Sequence, residues 1–94
     1  MKILNKSEMF DLKFSKSSKK FLKKCEQDIF ERVLKKIELL KENPFPSGAV
    51  RVVNKKEKVF RVRMGKYRIT YVVFSKEKLI FISDIDKRSK IYNE

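Results

Sequence analysis

One short segment, Met64-Gly65-Lys66-Tyr67, constrains the fold of this chain more than any other part of the sequence. The residues on both sides of it, 59–64 and 67–74, are rich in β-branched and aromatic side chains, which predicts two strands. A two-residue loop with glycine in its first position is typical of a type II′ turn, which needs a positive φ there. Such a loop fixes the pairing, so the sequence predicts an antiparallel hairpin in which Arg63 faces Arg68.

The same register sorts the hairpin side chains onto two faces. One face is predicted to pack on helices and holds Phe60, Val62, Met64, Tyr67, Ile69 and Tyr71. The other face holds Arg61, Arg63 and Arg68. Like charges directly opposed across a sheet are unfavourable, and a phosphate between them would remove that cost. The alternative is that each arginine points to solvent or pairs with Glu57, Asp84 or Asp86.

Residues 10–42 predict a strand followed by helices. Apolar and polar residues alternate over 10–14, as in a strand with one buried face. A serine among Ser15, Ser17 and Ser18 can cap a helix, and apolar residues then recur at helical spacing. Asp28, with Glu31 three residues later, suggests a second capping signal. The pattern fits two consecutive helices or one helix with a kink near Gln27.

The helical region ends at Asn43-Pro44, because proline disfavours helix in the residue before it. Two further stretches, 50–53 and 79–85, have the composition of strands. The predicted fold is a single α+β domain over residues 1–94 with the order β-α-α-β-β-β-β. An N-terminal strand and two helices precede a four-stranded antiparallel sheet, and the helices cover one face of that sheet.

The charge of the chain indicates its class of partner. Twenty-five Lys and Arg against twelve Asp and Glu give a formal charge of +13. Five of the six arginines follow residue 49, and arginine binds phosphate through a bidentate fork. Nucleic acid is therefore the first candidate, and a lysine-rich surface that only maintains solubility is the alternative.

Several classes of site and location are disfavoured by the composition. The chain has no His and one Cys, so we expect no zinc site, other metal or cofactor. Cys25 lies on an apolar stripe and is interpreted as a core residue rather than a nucleophile. Because no apolar run approaches a membrane span and a single cysteine cannot form an internal disulfide, we expect a cytoplasmic protein.

Two motifs resemble those of the RelE/ParE superfamily of toxin–antitoxin toxins. VFRVRMGKYRITYVVF is similar to the family hairpin, in which alternating basic residues lead through a glycine turn into Tyr-Arg-aliphatic-x-Tyr. IDKRSKIYNE is similar to the closing motif, a basic residue followed four positions later by tyrosine. The resemblance covers residues 10–92 and implies a single RelE-like toxin domain.

The resemblance also implies an activity and its residues. RelE-like members cleave messenger RNA on the ribosome, and the matching positions here are Arg61, Arg63, Arg68, Arg88 and Tyr92. The reaction needs no metal, since the 2′-hydroxyl of RNA can attack the adjacent phosphorus if charge and proton transfer are provided. Further candidates for RNA contacts are Lys66, Lys87 and Lys90.

Three functions therefore remain in competition. The first is a type II toxin that acts as a ribosome-dependent mRNA endoribonuclease and is neutralised by the acidic segment of a cognate RelB-like antitoxin. The second is a ParE-type inhibitor of DNA gyrase without nuclease activity. The third is a non-catalytic RNA-binding module, whose affinity would survive the loss of single arginines.

Overall fold

The computed structural model describes residues 9–52 and 58–87, and these ranges form two helices and five strands in the predicted order. The elements are β1 (Asp11–Phe14), α1 (Lys16–Lys24), α2 (Gln27–Glu42), β2 (Val50–Arg51), β3 (Val59–Met64), β4 (Tyr67–Phe74) and β5 (Leu79–Lys87). The α+β class is confirmed. Neither helix has the length and apolarity needed to cross a membrane within the described ranges.

All five strands join one sheet in the order β1-β5-β4-β3-β2. The last four strands pair antiparallel, as predicted, whereas β1 adds to the edge of β5 in parallel. The Asp11 N–H donates to the Lys78 carbonyl at 2.8 Å, and the Ser15 N–H donates to the Ile82 carbonyl at 3.0 Å. The sheet is therefore mixed, with the first strand of the chain at its edge beside the last.

The two helices are separate elements, which settles the alternative of a single kinked helix. Cys25 and Glu26 both have extended backbone angles, with ψ of 163° and 159°. The cap predicted at Asp28 is wrong, because α2 begins at Gln27 after Glu26, whose side chain makes no capping hydrogen bond. Asp28 lies instead in the first turn, where its negative charge complements the helix dipole.

Helix α1 is anchored to β5 by serine hydroxyls. Ser15 is the N-cap: its Oγ accepts from the Ser18 N–H at 3.1 Å and donates to the Ser83 carbonyl at 2.8 Å. Ser18 is fully buried, and its hydroxyl donates to the Ile82 carbonyl at 2.9 Å. The predicted serine cap is therefore confirmed at Ser15.

The core lies between the helices and one face of the sheet. Val33, Ile37 and Leu40 recur at three- and four-residue spacing in α2 and are buried there. The strands contribute the rest of the buried cluster: Val62, Ile69, Tyr71, Val73, Ile80, Ile82 and Ile85. Phe60 and Met64 pack against it, so the predicted apolar face of the hairpin is confirmed.

A β-bulge interrupts the pairing of β4 with β5. Tyr71 pairs with Ile82 and Thr70 pairs with Asp84, so Ser83 is the additional residue. Its hydroxyl donates to the Thr70 carbonyl at 3.1 Å. The bulge shifts the alternation of side chains by one residue, which sends Ile85 to the core and turns Asp84 to the opposite face.

Candidate nucleic-acid interface

The hairpin places Arg61, Arg63 and Arg68 together on the face of the sheet opposite the helices. Each predicted pair is present, including Arg61 with Thr70 and Arg63 with Arg68. The turn requires a positive φ in its first loop position. Gly65 provides it, with a φ of 60°. Directly paired residues share a face of the sheet, so these side chains define what we call the arginine face.

Two carboxylates of β5 also lie on the arginine face. Thr70 pairs with Asp84 and Arg68 pairs with Asp86, so both acids share the face of their partners. Across the sheet the residues form two rows. One row runs from Arg63 through Arg68 to Asp86, and the other runs from Arg61 through Thr70 to Asp84. The face is therefore cationic on the β3 side and anionic on the β5 side.

Arg68 is bound to Asp86 by two hydrogen bonds. Its Nε donates to one carboxylate oxygen at 3.3 Å, and its Nη2 donates to the other at 3.2 Å. The two side chains are 21% and 34% exposed. Water and salt therefore screen the pair only in part. The sequence left two alternatives for the arginines, a bound phosphate or an ion pair with an acidic residue. Arg68 forms the ion pair.

The two arginines of β3 differ from Arg68 in this respect. Arg61 is half-buried and Arg63 is exposed. Within residues 9–52 and 58–87 neither side chain has a carboxylate within ion-pair distance. Their guanidinium groups therefore provide the charge on this face that no described carboxylate neutralises.

Of the remaining predicted site residues, two lie in the described part of the chain and three do not. Lys66 is exposed in the hairpin turn, and Lys87 is exposed at the end of β5, where it pairs with Tyr67. Arg88, Lys90 and Tyr92 lie outside the described residues. The structure thus brings the three hairpin arginines together, while the predicted roles of the C-terminal residues stay predictions.

An open groove of about 970 Å³ lies beside the end of β5, between α1 and the start of α2. Apolar side chains, including Phe21 and Tyr67, line it, and their rings meet edge to face with centroids 5.8 Å apart. Lys20, Lys24 and Lys87 also line the groove. It therefore joins the helix surface to the end of the strand that carries Asp86.

Cys25 is half-buried at the junction of the two helices. It is not part of the core cluster, so the prediction that it is a core residue is wrong. Its Sγ donates to the Leu22 carbonyl at 3.6 Å. Burial raises the pKa of the Cys25 thiol, which disfavours the reactive thiolate. Within the described ranges, no three His, Cys, Asp or Glu side chains come close enough together to hold a metal ion.

Asp84 and Asp86 were predicted only as possible partners of the arginines, and the structure places both on the arginine face. Two adjacent polar residues, Ser83 and Asp84, interrupt the alternation of β5, and this interruption is the signal of the bulge. Without the bulge, the alternation that buries Ile80 and Ile82 would direct both aspartates into the core.

The fold, a mixed five-stranded sheet covered by two helices on one face, is shared with solved structures. The archaeal RelE in a RelE–RelB complex from Pyrococcus horikoshii matches with a TM-score of 0.77 and 24% identity, covering 88% of this chain and 99% of that one. The isolated E. coli RelE toxin matches with a TM-score of 0.75 and 18% identity, covering 90% and 88%. These likenesses show a common fold.

Sequence comparison identifies the family. Residues 12–92 match the model of the ParE toxin of type II toxin–antitoxin systems. The RelE1 protein of Methanocaldococcus jannaschii is 33% identical over 85 residues, which cover 88% of this chain and 94% of that protein. The chain belongs to the ParE toxin family of type II toxin–antitoxin systems. The predicted family resemblance is confirmed.

Proposed function

We propose that this toxin is a ribosome-dependent mRNA endoribonuclease and that Arg61 and Arg63 bind the phosphate at the cleaved bond. The observation that supports this proposal is the cationic half of the arginine face, where two guanidinium groups stand on one strand without a described carboxylate partner. Phosphoryl chemistry requires stabilisation of the negative charge that develops in the transition state, and preorganised arginines provide it.

Arg68 has a different role in this proposal. An arginine has five N–H donors, and Asp86 accepts from two of them, so three remain for an RNA phosphate. The carboxylate fixes the plane of the guanidinium before RNA arrives. Arg68 is therefore a preoriented phosphate ligand, with less net attraction for the anion than Arg61 or Arg63.

Proton transfer needs residues other than these arginines. The 2′-hydroxyl must lose a proton and the leaving 5′-oxygen must gain one, whereas arginine stays protonated at neutral pH. The proposal assigns this task to Tyr92, which lies four residues after Arg88 in the sequence. Lys66, Lys87 and Lys90 are proposed to hold the RNA backbone.

The proposal includes an antitoxin as partner. The RelE chains of P. horikoshii and M. jannaschii were solved as complexes with RelB. A chain with a formal charge of +13 is suited to an acidic segment that covers the arginine face. Such a segment would compete with RNA for Arg61 and Arg63.

The test is mapping of messenger-RNA cleavage with purified ribosomes. We expect Arg61→Ala and Arg63→Ala each to lower the cleavage rate about a hundredfold, since loss of one transition-state donor costs that much. Tyr92→Phe should lower it at least as much. Lys76→Ala, in the exposed β4–β5 turn, is the control and should cleave like the native chain. Absence of cleavage with and without ribosomes would refute the nuclease proposal.

Inhibition of DNA gyrase is the second candidate. Two observations favour it: the matching family model is that of ParE, and Asp86 already engages Arg68. A protein that only binds gyrase does not require free catalytic arginines. A supercoiling assay with purified gyrase distinguishes the two functions, because a RelE-type nuclease leaves supercoiling unchanged.

A further inference from the structure

Helix α1 has a lysine face. Five of its nine residues are lysines, and all five are exposed: Lys16, Lys19, Lys20, Lys23 and Lys24. At about 100° per residue they fall on one arc, opposite the buried Ser18 and the half-buried Phe21 and Leu22. Since Ser18 is bound to β5, the lysine arc lies on the side of α1 opposite that contact, and Lys20 and Lys24 border the groove beside the end of β5.

The energetics of an isolated helix oppose this arrangement. Lysines three and four positions apart repel one another, as do Lys16 with Lys20 and Lys19 with Lys23. The first turn of α1 contains no acidic residue, and Lys16 adds positive charge at the positive end of the helix dipole. In the described part of the chain, none of the five lysines forms an ion pair.

Helix α2 shows the usual arrangement. It has Asp28 in its first turn and Lys41 in its last turn, and Lys41 lies 3.8 Å from Glu38. Both helices belong to one chain in the same solvent, so a general need for solubility does not explain why only α1 lacks compensating acids. Electrostatic repulsion that is repeated along one face of a single helix is typical of a binding surface.

The chemistry of the face indicates its partner. The lysine arc includes no apolar side chain, whereas protein interfaces have an apolar core from which lysine is depleted. Lysine acts as a flexible point charge, which suits the repeated phosphates of a nucleic-acid backbone and not the reading of bases. A phosphate backbone therefore fits this face better than an acidic protein segment.

We propose that the lysine face of α1 is a second nucleic-acid surface, which binds the backbone of folded RNA without regard to sequence. It is distinct from the arginine face, because helix α1 carries it and strands β3 and β4 carry Arg61, Arg63 and Arg68. The groove that Lys24 and Lys87 line connects the two surfaces around the end of β5. Binding at α1 does not depend on whether the chain cleaves RNA.

The test compares two triple variants with the same net charge. One is Lys16→Gln with Lys19→Gln and Lys23→Gln on α1. The matched control is Lys35→Gln with Lys58→Gln and Lys76→Gln, three exposed lysines outside α1. Each chain is titrated with a mixed-sequence RNA duplex over a range of salt concentrations, and thermal unfolding verifies that both variants are folded.

We expect the α1 variant to bind the duplex more weakly and with a shallower salt dependence. The slope of the logarithm of affinity against the logarithm of salt should fall by roughly one for each phosphate that the variant no longer neutralises. The control should stay close to the native slope.

Equal losses of RNA affinity in both variants would overturn the proposal, because net charge alone would then explain binding. No loss of affinity in either variant would also overturn it, because the lysine face would then be only solvated. Weaker binding of an acidic antitoxin peptide with RNA binding unchanged would also overturn it.

Discussion

Arg68 and Asp86 are direct register partners on neighbouring strands, joined by hydrogen bonds of 3.3 and 3.2 Å. On its other side Arg68 faces Arg63, so the row places one negative charge beside two positive ones. The carboxylate offsets the cost of the opposed arginines within the protein. It also leaves Arg61 and Arg63 of β3 as the arginines of this face whose charge no described carboxylate neutralises.

Replacing Asp86 with asparagine should separate the structural role of this pair from its effect on RNA. We expect Asp86→Asn to destabilise the fold by about 1 kcal/mol, the magnitude typical of partly exposed ion pairs. RNA affinity should rise, because the face loses a negative charge that repels phosphate. Urea unfolding measures the first effect, and titration with a short single-stranded RNA measures the second.

Asp84→Asn serves as the matched variant, because Asp84 lies on the same face in the row of Thr70 and forms no ion pair with a described residue. It should raise RNA affinity without a comparable loss of stability. If Asp86→Asn instead weakened RNA binding, the orientation of Arg68 would matter more than the charge of the carboxylate, and our ranking of the three arginines would be wrong.

A second prediction concerns Gly65, whose φ is 60°. This conformation is unfavourable for residues with a side chain, so Gly65→Ala should destabilise the fold by about 1 kcal/mol. Gly65→Asn should cost less, since asparagine tolerates a positive φ. An added Cβ would lie 3.1 Å from Nη2 of Arg32, the mobile end of a long side chain. Combining Gly65→Ala with Arg32→Ala tests whether that contact contributes. Unfolding midpoints equal to the native one would show that the turn conformation is not required.

The hairpin was predictable from sequence because its determinants are local. A two-residue loop with glycine in its first position fixes every pair from Met64 with Tyr67 outward, and all of those pairs are present. The serine cap and the helix end at Asn43 are equally local. Such features depend on the conformation of a few consecutive residues, which the side chains themselves restrict.

Features that depend on which distant segments meet were not predicted. The alternation in β1 indicates a strand but not its partner, so its parallel pairing with β5 was missed. Asp86 was one of three acids considered for the arginines, and the register that follows the bulge at Ser83 places it opposite Arg68. The composition of Arg61, Arg63 and Arg68 indicated an anion site, but the carboxylates of β5 restrict it to one side.

A third prediction uses the serines that hold α1 on β5. Ser18→Ala and Ser15→Ala should each destabilise the fold by about 1 kcal/mol, since one removes a buried hydrogen bond and the other removes a helix cap. Ser17 is the matched control, because it is exposed and its contacts with Ser83 and Asp84 are long, at 3.4 and 3.5 Å. Ser17→Ala should therefore stay within about 0.5 kcal/mol of native in urea unfolding. A larger loss for Ser17→Ala than for Ser18→Ala would contradict this view of the anchor.

The last prediction concerns stability at high pH. Tyr71 is fully buried, and its hydroxyl donates to the Pro44 carbonyl at 2.8 Å. Desolvation raises the pKa of Tyr71 from 10.0 to about 12. Because the folded state holds the neutral phenol, its contribution is complete below pH 10 and is lost as the pH rises through about 12. At neutral pH, Tyr71→Phe should cost about 1 to 2 kcal/mol, since the Pro44 carbonyl loses its partner.

The lysines also titrate in this range, but they do so in both proteins, so the difference between the native chain and Tyr71→Phe isolates the phenol. That difference should be constant from pH 7 to 9 and should shrink as the pH rises from 10 toward 12. Urea unfolding at a series of pH values measures it. A difference that stays constant up to pH 12 would mean that ionisation of Tyr71 is not linked to unfolding, and that the phenol keeps its proton in both states or loses it equally in both.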